Sequence, residues 1–159
     1  MVDVGGGSTE IAVGTVHGGV VWSTSIRVGS GFLADAYLKG DPPGPAELNA
    51  MREHAAGCLD GIEVPAAQSA VAVGGSAASL RRLVGDTLAR ASLERALATL
   101  CGAPAAEIAA ELGLDPVRVR LLPAGIVLLG VAAQRLGQPL QIGRGGLREG
   151  LLLDMARSL

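Results

Sequence analysis

The stretch that decides the reading is MVDVGGGSTEIAVG, residues 1–14. Two short β-like runs flank three consecutive glycines, with Asp3 before them and Ser8 and Glu10 after. Glycine weakens both strands and helices, so three in a row mark a turn whose backbone must stay bare. A chain leaving a strand through such a turn can aim several N–H groups at one point, and an anion can approach closely where Cβ atoms are missing. Gly5, Gly6, Gly7 and Ser8 are therefore candidate phosphate-binding residues. A loop built only for an anion would avoid negative charge beside it. Asp3 and Glu10 instead suggest a bridging Mg²⁺, or a water oriented for in-line attack. The same spacing admits a plainer role, with Asp3 capping the turn and Glu10 on a solvated face.

Outward from this turn, the first third reads as strands. VDV, TEIAVGTV and GVVWSTSIRVG are rich in β-branched residues, and HGG supplies a hairpin turn, which predicts an antiparallel three-stranded meander. SGFLADAYLKGD reads as a helix stopped by GDPPGP, residues 40–45. PAELNAMREHAAGCLDGI follows, with Leu48, Met51, Ala55 and Leu59 on one helical face. SAVAVGG then gives a buried strand and SAASLRRLVGD a helix opening near Ser76 or Ser79. ASLERALATLC, PAAEIAAELGL and RLLPAGIVLLGVAAQRLG are helical, LQIG is a short last strand, and LREGLLLDMARSL a closing helix. A meander, a crossover helix and further β/α units predict an α/β lobe with a mixed sheet flanked by helices.

Strand, glycine turn and helix succeed one another twice more, at Gly74-Gly75-Ser76 and at Gly143–Gly146. A helix N-terminus behind such a turn adds positive potential for an anion. Arg81, Arg82, Arg144 and Arg148 lie near these turns. Arg81 and Arg82 also fit a solvated helix face; Arg144 and Arg148 could track an anionic chain, or Arg148 could form a structural pair with Glu149.

Composition excludes several classes. The 159 residues suffice for one domain with a sizeable core, and 49% AVILMFWYC with a mean hydropathy of +0.43 argues against disorder. Aromatics are 2% and the net charge is −2, so neither a stacking platform nor a basic stripe for nucleic acid is expected. LLPAGIVLLGVAA is interrupted by Pro123 and two glycines and reads as a buried helix rather than a membrane span. Cys58 and Cys101 lack metal-ligand spacing and read as reduced core thiols of a cytoplasmic protein.

DVGGGSTE resembles the second phosphate motif of the exopolyphosphatase and guanosine pentaphosphate phosphohydrolase (Ppx/GppA) family, of the actin/hexokinase/Hsp70 superfamily. SIRVGSGFLADAYL, AVGGSAASL and LLPAGIVLLGVAAQRLG followed by LQIGRGGLREGLLL agree in order. The resemblance implies a ribonuclease-H-like (actin-like ATPase) lobe spanning residues 1–159, second of two, with the N-terminal lobe absent. It implies Mg²⁺ dependence and release of orthophosphate from polyphosphate or guanosine pentaphosphate. Asp3 and Glu10 match the acidic residues that hold metal and attacking water; Gly5, Gly6, Gly7 and Ser8 match the phosphate loop. Gly74, Gly75 and Ser76 match a second turn, with Ser76 for the usual Thr. Phe32 stands where many members have arginine, and Gly143-Arg144-Gly145 where Ser-Asp is common. The first phosphate loop and the catalytic base would lie in the other lobe, so this lobe alone is expected to be inactive or nearly so. His17 and His54 read as surface histidines. In this family a homodimer is common. The alternatives are a non-catalytic phosphate- or nucleotide-binding module and a lobe of a sugar- or acetate-kinase-like phosphotransferase; GLREG and SIRVGSG favour the phosphatase.

Overall fold

The computed structural model describes residues 1–157, so the last two residues of the sequence-predicted closing helix lie outside them. Strands β1 (Val2–Val4), β2 (Thr9–Thr15) and β3 (Gly19–Ile26) form the expected meander. The register sets Asp3 opposite Glu10, and Glu10 opposite Ser25. Helices α1 (Ser30–Tyr37) and α2 (Pro45–Cys58) follow. Strand β4 (Ala70–Val73) then returns to pair in parallel with β1 and leads into α3 (Gly74–Val84). A short strand β5 (Thr87–Leu88) precedes α4 (Arg90–Leu100), α5 (Ala105–Leu112) and α6 (Pro116–Arg135). Strand β6 (Leu140–Ile142) pairs in parallel with β4 and antiparallel with β5, and α7 (Leu147–Arg157) closes the described chain. The sheet order is β3-β2-β1-β4-β6-β5, which puts the three-residue β1 at its centre.

Alternation along the strands explains the layering. Val2, Val4, Ile11, Ala70, Ala72, Leu140 and Ile142 are buried on one face, the face on which the helices pack. The other face carries Asp3, Glu10, Ser25, Val71, Val73 and Gln141, all half-buried or exposed. Helix α6 is the hub of the core. Val119, Leu122, Ala124, Ile126, Val127, Leu128, Leu129 and Ala132 are buried along it, against α1 to α5. Its length and composition would suit a membrane span, but its central residues are core. With few aromatics, these aliphatic side chains supply the burial that drives folding.

The structure adds one strand and moves several boundaries of the sequence reading, with α6 starting at Pro116 and α2 ending at Cys58. Strand β5 is an addition: two residues carry no periodicity, and only pairing with β6 defines the strand. Helix α3 begins at Gly74 rather than at a serine, so both glycines of the turn lie inside its first turn. The expected face of α2 holds: Met51, Ala55 and the C-cap Leu59 are buried, and Leu48 is half-buried against the core. The start of α6 is fixed by Asp115, whose Oδ1 accepts from the amides of Val117 at 2.8 Å and Arg118 at 3.3 Å. Asp115→Ala should cost about 1 kcal/mol, a typical value for a helix N-cap, read as a lower urea midpoint with an unchanged slope.

Candidate functional site

Because β1, β4 and β6 are parallel, their carboxyl ends lie along one edge of the sheet. The loops that follow them are the three glycine turns of the sequence: Gly5–Ser8, the Gly74–Ser76 start of α3, and Gly143–Gly146. Open α/β sheets bind ligands outside this edge.

The first loop is a tight turn in which the Gly5 amide donates to the Ser8 carbonyl at 2.9 Å. It rests on the start of α1. The Ser30 amide donates to Gly5 O at 2.9 Å, the Ser30 hydroxyl reaches the same oxygen at 3.2 Å, and the Phe32 amide donates to Gly6 O at 3.0 Å. The support is close: a Cβ on Gly29 would lie 2.4 Å from the Gly6 carbonyl carbon, and one on Gly31 3.0 Å from Gly6 O. The VGSG segment is thus a seat for the loop. A Cβ added to Gly6 or Gly7 would meet nothing within 4 Å, and neither residue has a positive φ. Neither packing nor backbone conformation demands glycine there. The bare backbone faces open space.

The second turn sits against the first carboxylate. Gly74 has φ +89°, and a Cβ there would lie 2.2 Å from Asp3 Oδ1. Burial raises the Asp3 carboxyl above its ordinary value, and the facing Glu10 charge adds to the effect. Glu10 is held from its other side by the Ser25 hydroxyl, which donates to Oε1 at 2.8 Å. Ser76 is buried where α6 crosses α3, with Gly125 opposite: a Cβ on Gly125 would lie 2.8 Å from Ser76 Cβ. The Ser76 hydroxyl is therefore wedged in the helix crossing at the mouth of α3.

The structure adds a residue that sequence reading missed. Arg118, exposed in the first turn of α6, reaches across to α3, donating to Ser79 Oγ at 3.2 Å and to Gly75 O at 3.4 Å. A guanidinium from far along the chain thus stands at the N-terminus of α3. Its signal in the sequence is faint: one arginine among several on a helix start. Arg81 and Arg82, by contrast, are tied to the scaffold. Arg81 donates to Ile142 O at 2.8 Å and pairs with Asp86 at 2.9 Å, and Arg82 donates to Leu112 O at 3.1 Å.

In the third turn Gly143 lies under Val71 and Val73, at 2.8 and 3.0 Å from a Cβ position, and Arg144 is exposed. Glu149 caps the turn, its Oε2 accepting from the Gly146 amide at 2.7 Å rather than pairing chiefly with Arg148. His17 is exposed in the β2–β3 turn. His54 is not a free surface histidine: it is half-buried between the Phe32 and Tyr37 rings, at 5.9 and 5.4 Å. Cys58 and Cys101 are free thiols, and burial pushes that of Cys101 up to about 11, which leaves it unreactive at neutral pH.

Among the described residues no three His, Cys, Asp or Glu side chains converge to hold a metal. Asp3 and Glu10 are nevertheless a fitting pair for one hard cation. They are oxygen donors in cross-strand register, their charges repel, and Mg²⁺ is commonly bound by one or two carboxylates with water and phosphate completing the shell.

The sequence model of the Ppx/GppA phosphatase family matches residues 1–159. The chain belongs to the Ppx/GppA phosphatase family. A crystal structure of the Aquifex aeolicus Ppx/GppA family member superposes with a TM-score of 0.88 at 24% identity, covering 99% of this chain and 55% of that one. Another structure of the Aquifex aeolicus enzyme gives 0.86 at 25% identity, with 96% and 55% covered. An exopolyphosphatase from Cytophaga hutchinsonii gives 0.79 at 19% identity, with 99% and 56% covered. No curated protein sequence matches. The mixed six-stranded sheet is the actin-like lobe of these phosphatases, and the present chain spans about half of each solved chain it resembles.

Proposed function

We propose that this Ppx/GppA chain is the phosphate-binding lobe of a Mg²⁺-dependent hydrolase that releases terminal orthophosphate from inorganic polyphosphate or guanosine pentaphosphate. The observation that carries the reading is the pair Gly6 and Gly7, bare where the fold does not require it, beside two facing carboxylates. The amides of the Gly5–Ser8 loop and of Gly74, Gly75 and Ser76 at the start of α3 hold phosphate oxygens. Arg118 adds a charge-assisted donor at that helix start. Asp3 and Glu10 bind the cation and orient the attacking water. Bound there, Mg²⁺ would neutralise charge on the phosphates as the anhydride bond breaks.

A second lobe is part of this proposal, supplying a general base and a further phosphate loop across the cleft. Two findings support it: the solved relatives are nearly twice as long, and Leu151, Leu152, Leu153 and Met155 are exposed on α7 as if for packing. The two unpaired thiols support a cytoplasmic location.

The test is orthophosphate release from long-chain polyphosphate and from guanosine pentaphosphate with Mg²⁺, using this chain alone and joined to the remaining half of a relative. Release only from the joined protein supports the proposal. Tight tripolyphosphate binding without release in either form would favour a binding module. Phosphate appearing on a sugar or acetate would make it a kinase lobe. Arg118→Ala should weaken tripolyphosphate binding by about tenfold or more, as expected for loss of a charge-assisted hydrogen bond, with no change in melting temperature. Unchanged affinity by calorimetry would remove Arg118 from the site.

A further inference from the structure

The chain has three aromatic residues, and one of them, Phe32, is half exposed beside the first glycine loop. Surface aromatics taken singly are ordinary. This one is placed by the loop itself, since its amide is the donor to Gly6 O at 3.0 Å. Phe32 is the third residue of α1, and side chains on a helix lean toward its N-terminus. For α1 that direction is Gly29–Ser30, where the Gly5–Gly7 backbone lies. The ring also packs against a neighbour on α2. The His54 ring stands 5.9 Å away, inclined 41°, and itself leans on Tyr37 at 5.4 Å. Such a ring keeps its position without being covered, as a stacking surface requires.

We propose that Phe32, backed by His54, is a stacking surface for a nucleobase whose phosphate chain lies on the Gly5–Ser8 loop. The inference rests on the phosphate-binding role of that loop and goes beyond it, because it makes this lobe discriminate a nucleoside polyphosphate from bare polyphosphate. Phosphate groups alone would gain nothing from an apolar ring. A purine's π-face would, and base–aromatic stacking is tolerant of which base is offered.

Calorimetric titration of the intact chain with guanosine 5′-triphosphate and with inorganic tripolyphosphate, both with Mg²⁺, separates the two ideas. The native protein should bind the nucleotide about five- to a hundredfold more tightly than tripolyphosphate, the range expected for one stacked base. Phe32→Ala should abolish that difference and leave tripolyphosphate affinity unchanged, while Phe32→Trp should keep or enlarge it. Equal affinities in the native protein would overturn the proposal with the phosphate site intact. So would a Phe32→Ala change that weakens both ligands alike, since that describes support of the loop only. Absence of tripolyphosphate binding would bring down the phosphate reading, and the stacking surface with it.

Discussion

Asp3→Asn is expected to stabilise this lobe at pH 7 while removing hydrolysis from the complete enzyme. The two effects share one cause. Burial and the facing Glu10 raise the Asp3 carboxyl above its ordinary 3.8, so the folded state holds its proton more tightly than the unfolded chain. For a raised carboxyl, stability is fully present below 3.8 and declines as pH climbs through the folded value. Above that folded value the native protein carries the cost of the charge, and the amide carries none. Melting scans should show native and Asp3→Asn proteins converging at acid pH, with the variant higher at pH 7. Phosphate release by the complete enzyme should fall by about 10²- to 10⁴-fold, the scale of removing a group that positions charge or water in the transition state. Glu10→Gln should act similarly on rate, because the proposed function puts both carboxylates on one cation. Retained activity in either variant would end its assignment to metal and water. A lower melting temperature for Asp3→Asn would contradict the strain attributed to the charge pair.

Gly29→Ala is expected to be the most damaging single methyl in the loop region. Gly29 has φ −134° and ψ 170°, a conformation open to alanine, so any cost is steric. The added carbon would meet the Gly6 carbonyl carbon at 2.4 Å and the Gly7 nitrogen at 2.5 Å, backbone atoms that cannot rotate aside. Either the loop lifts or α1 shifts, at about 1–3 kcal/mol or more for overpacking of this kind. Tripolyphosphate affinity should fall with it, since the displaced segment carries the proposed phosphate donors. Gly6→Ala is the counterpart. Its Cβ meets nothing within 4 Å, so stability should stay within about 0.5 kcal/mol of native while binding is lost. The pair separates a glycine required by packing from one required by a ligand. Equal stability losses for both would undo that distinction.

The meander was legible because β-branched residues alternate between glycine turns, and the α2 face because Leu48, Met51, Ala55 and Leu59 follow helical spacing. The carboxylates and first loop were legible for the same local reason: Asp3, the glycines and Glu10 are near neighbours in the chain. What local pattern could not reveal depends on distant chain. β5 exists through pairing with β6. At the start of α3, Gly74 lies against Asp3 and Ser76 against Gly125, both far away in the chain. Arg118 enters the site because α6 crosses α3, and nothing near residue 118 announces a glycine turn at residue 74. The role of Gly29 was hidden likewise, because its neighbour is a loop well before it in the chain.

Strand β1 has a consequence for how the protein comes into being. It is three residues long, and it joins the local hairpin to β4, where Val2 pairs with Ala72 and Asp3 with Val73. Closing a loop of that span costs entropy before the contact repays it, so this pairing belongs late in folding rather than with the fast helices. Asp3 lies on that strand and Gly74 directly follows the one it pairs with. Emerging from a ribosome, the chain can form its hairpin and α1 early, yet no early species can bring the two proposed phosphate turns together. Ligand affinity should therefore switch on in one step with the final docking of the sheet, which makes it a kinetic reporter of complete folding.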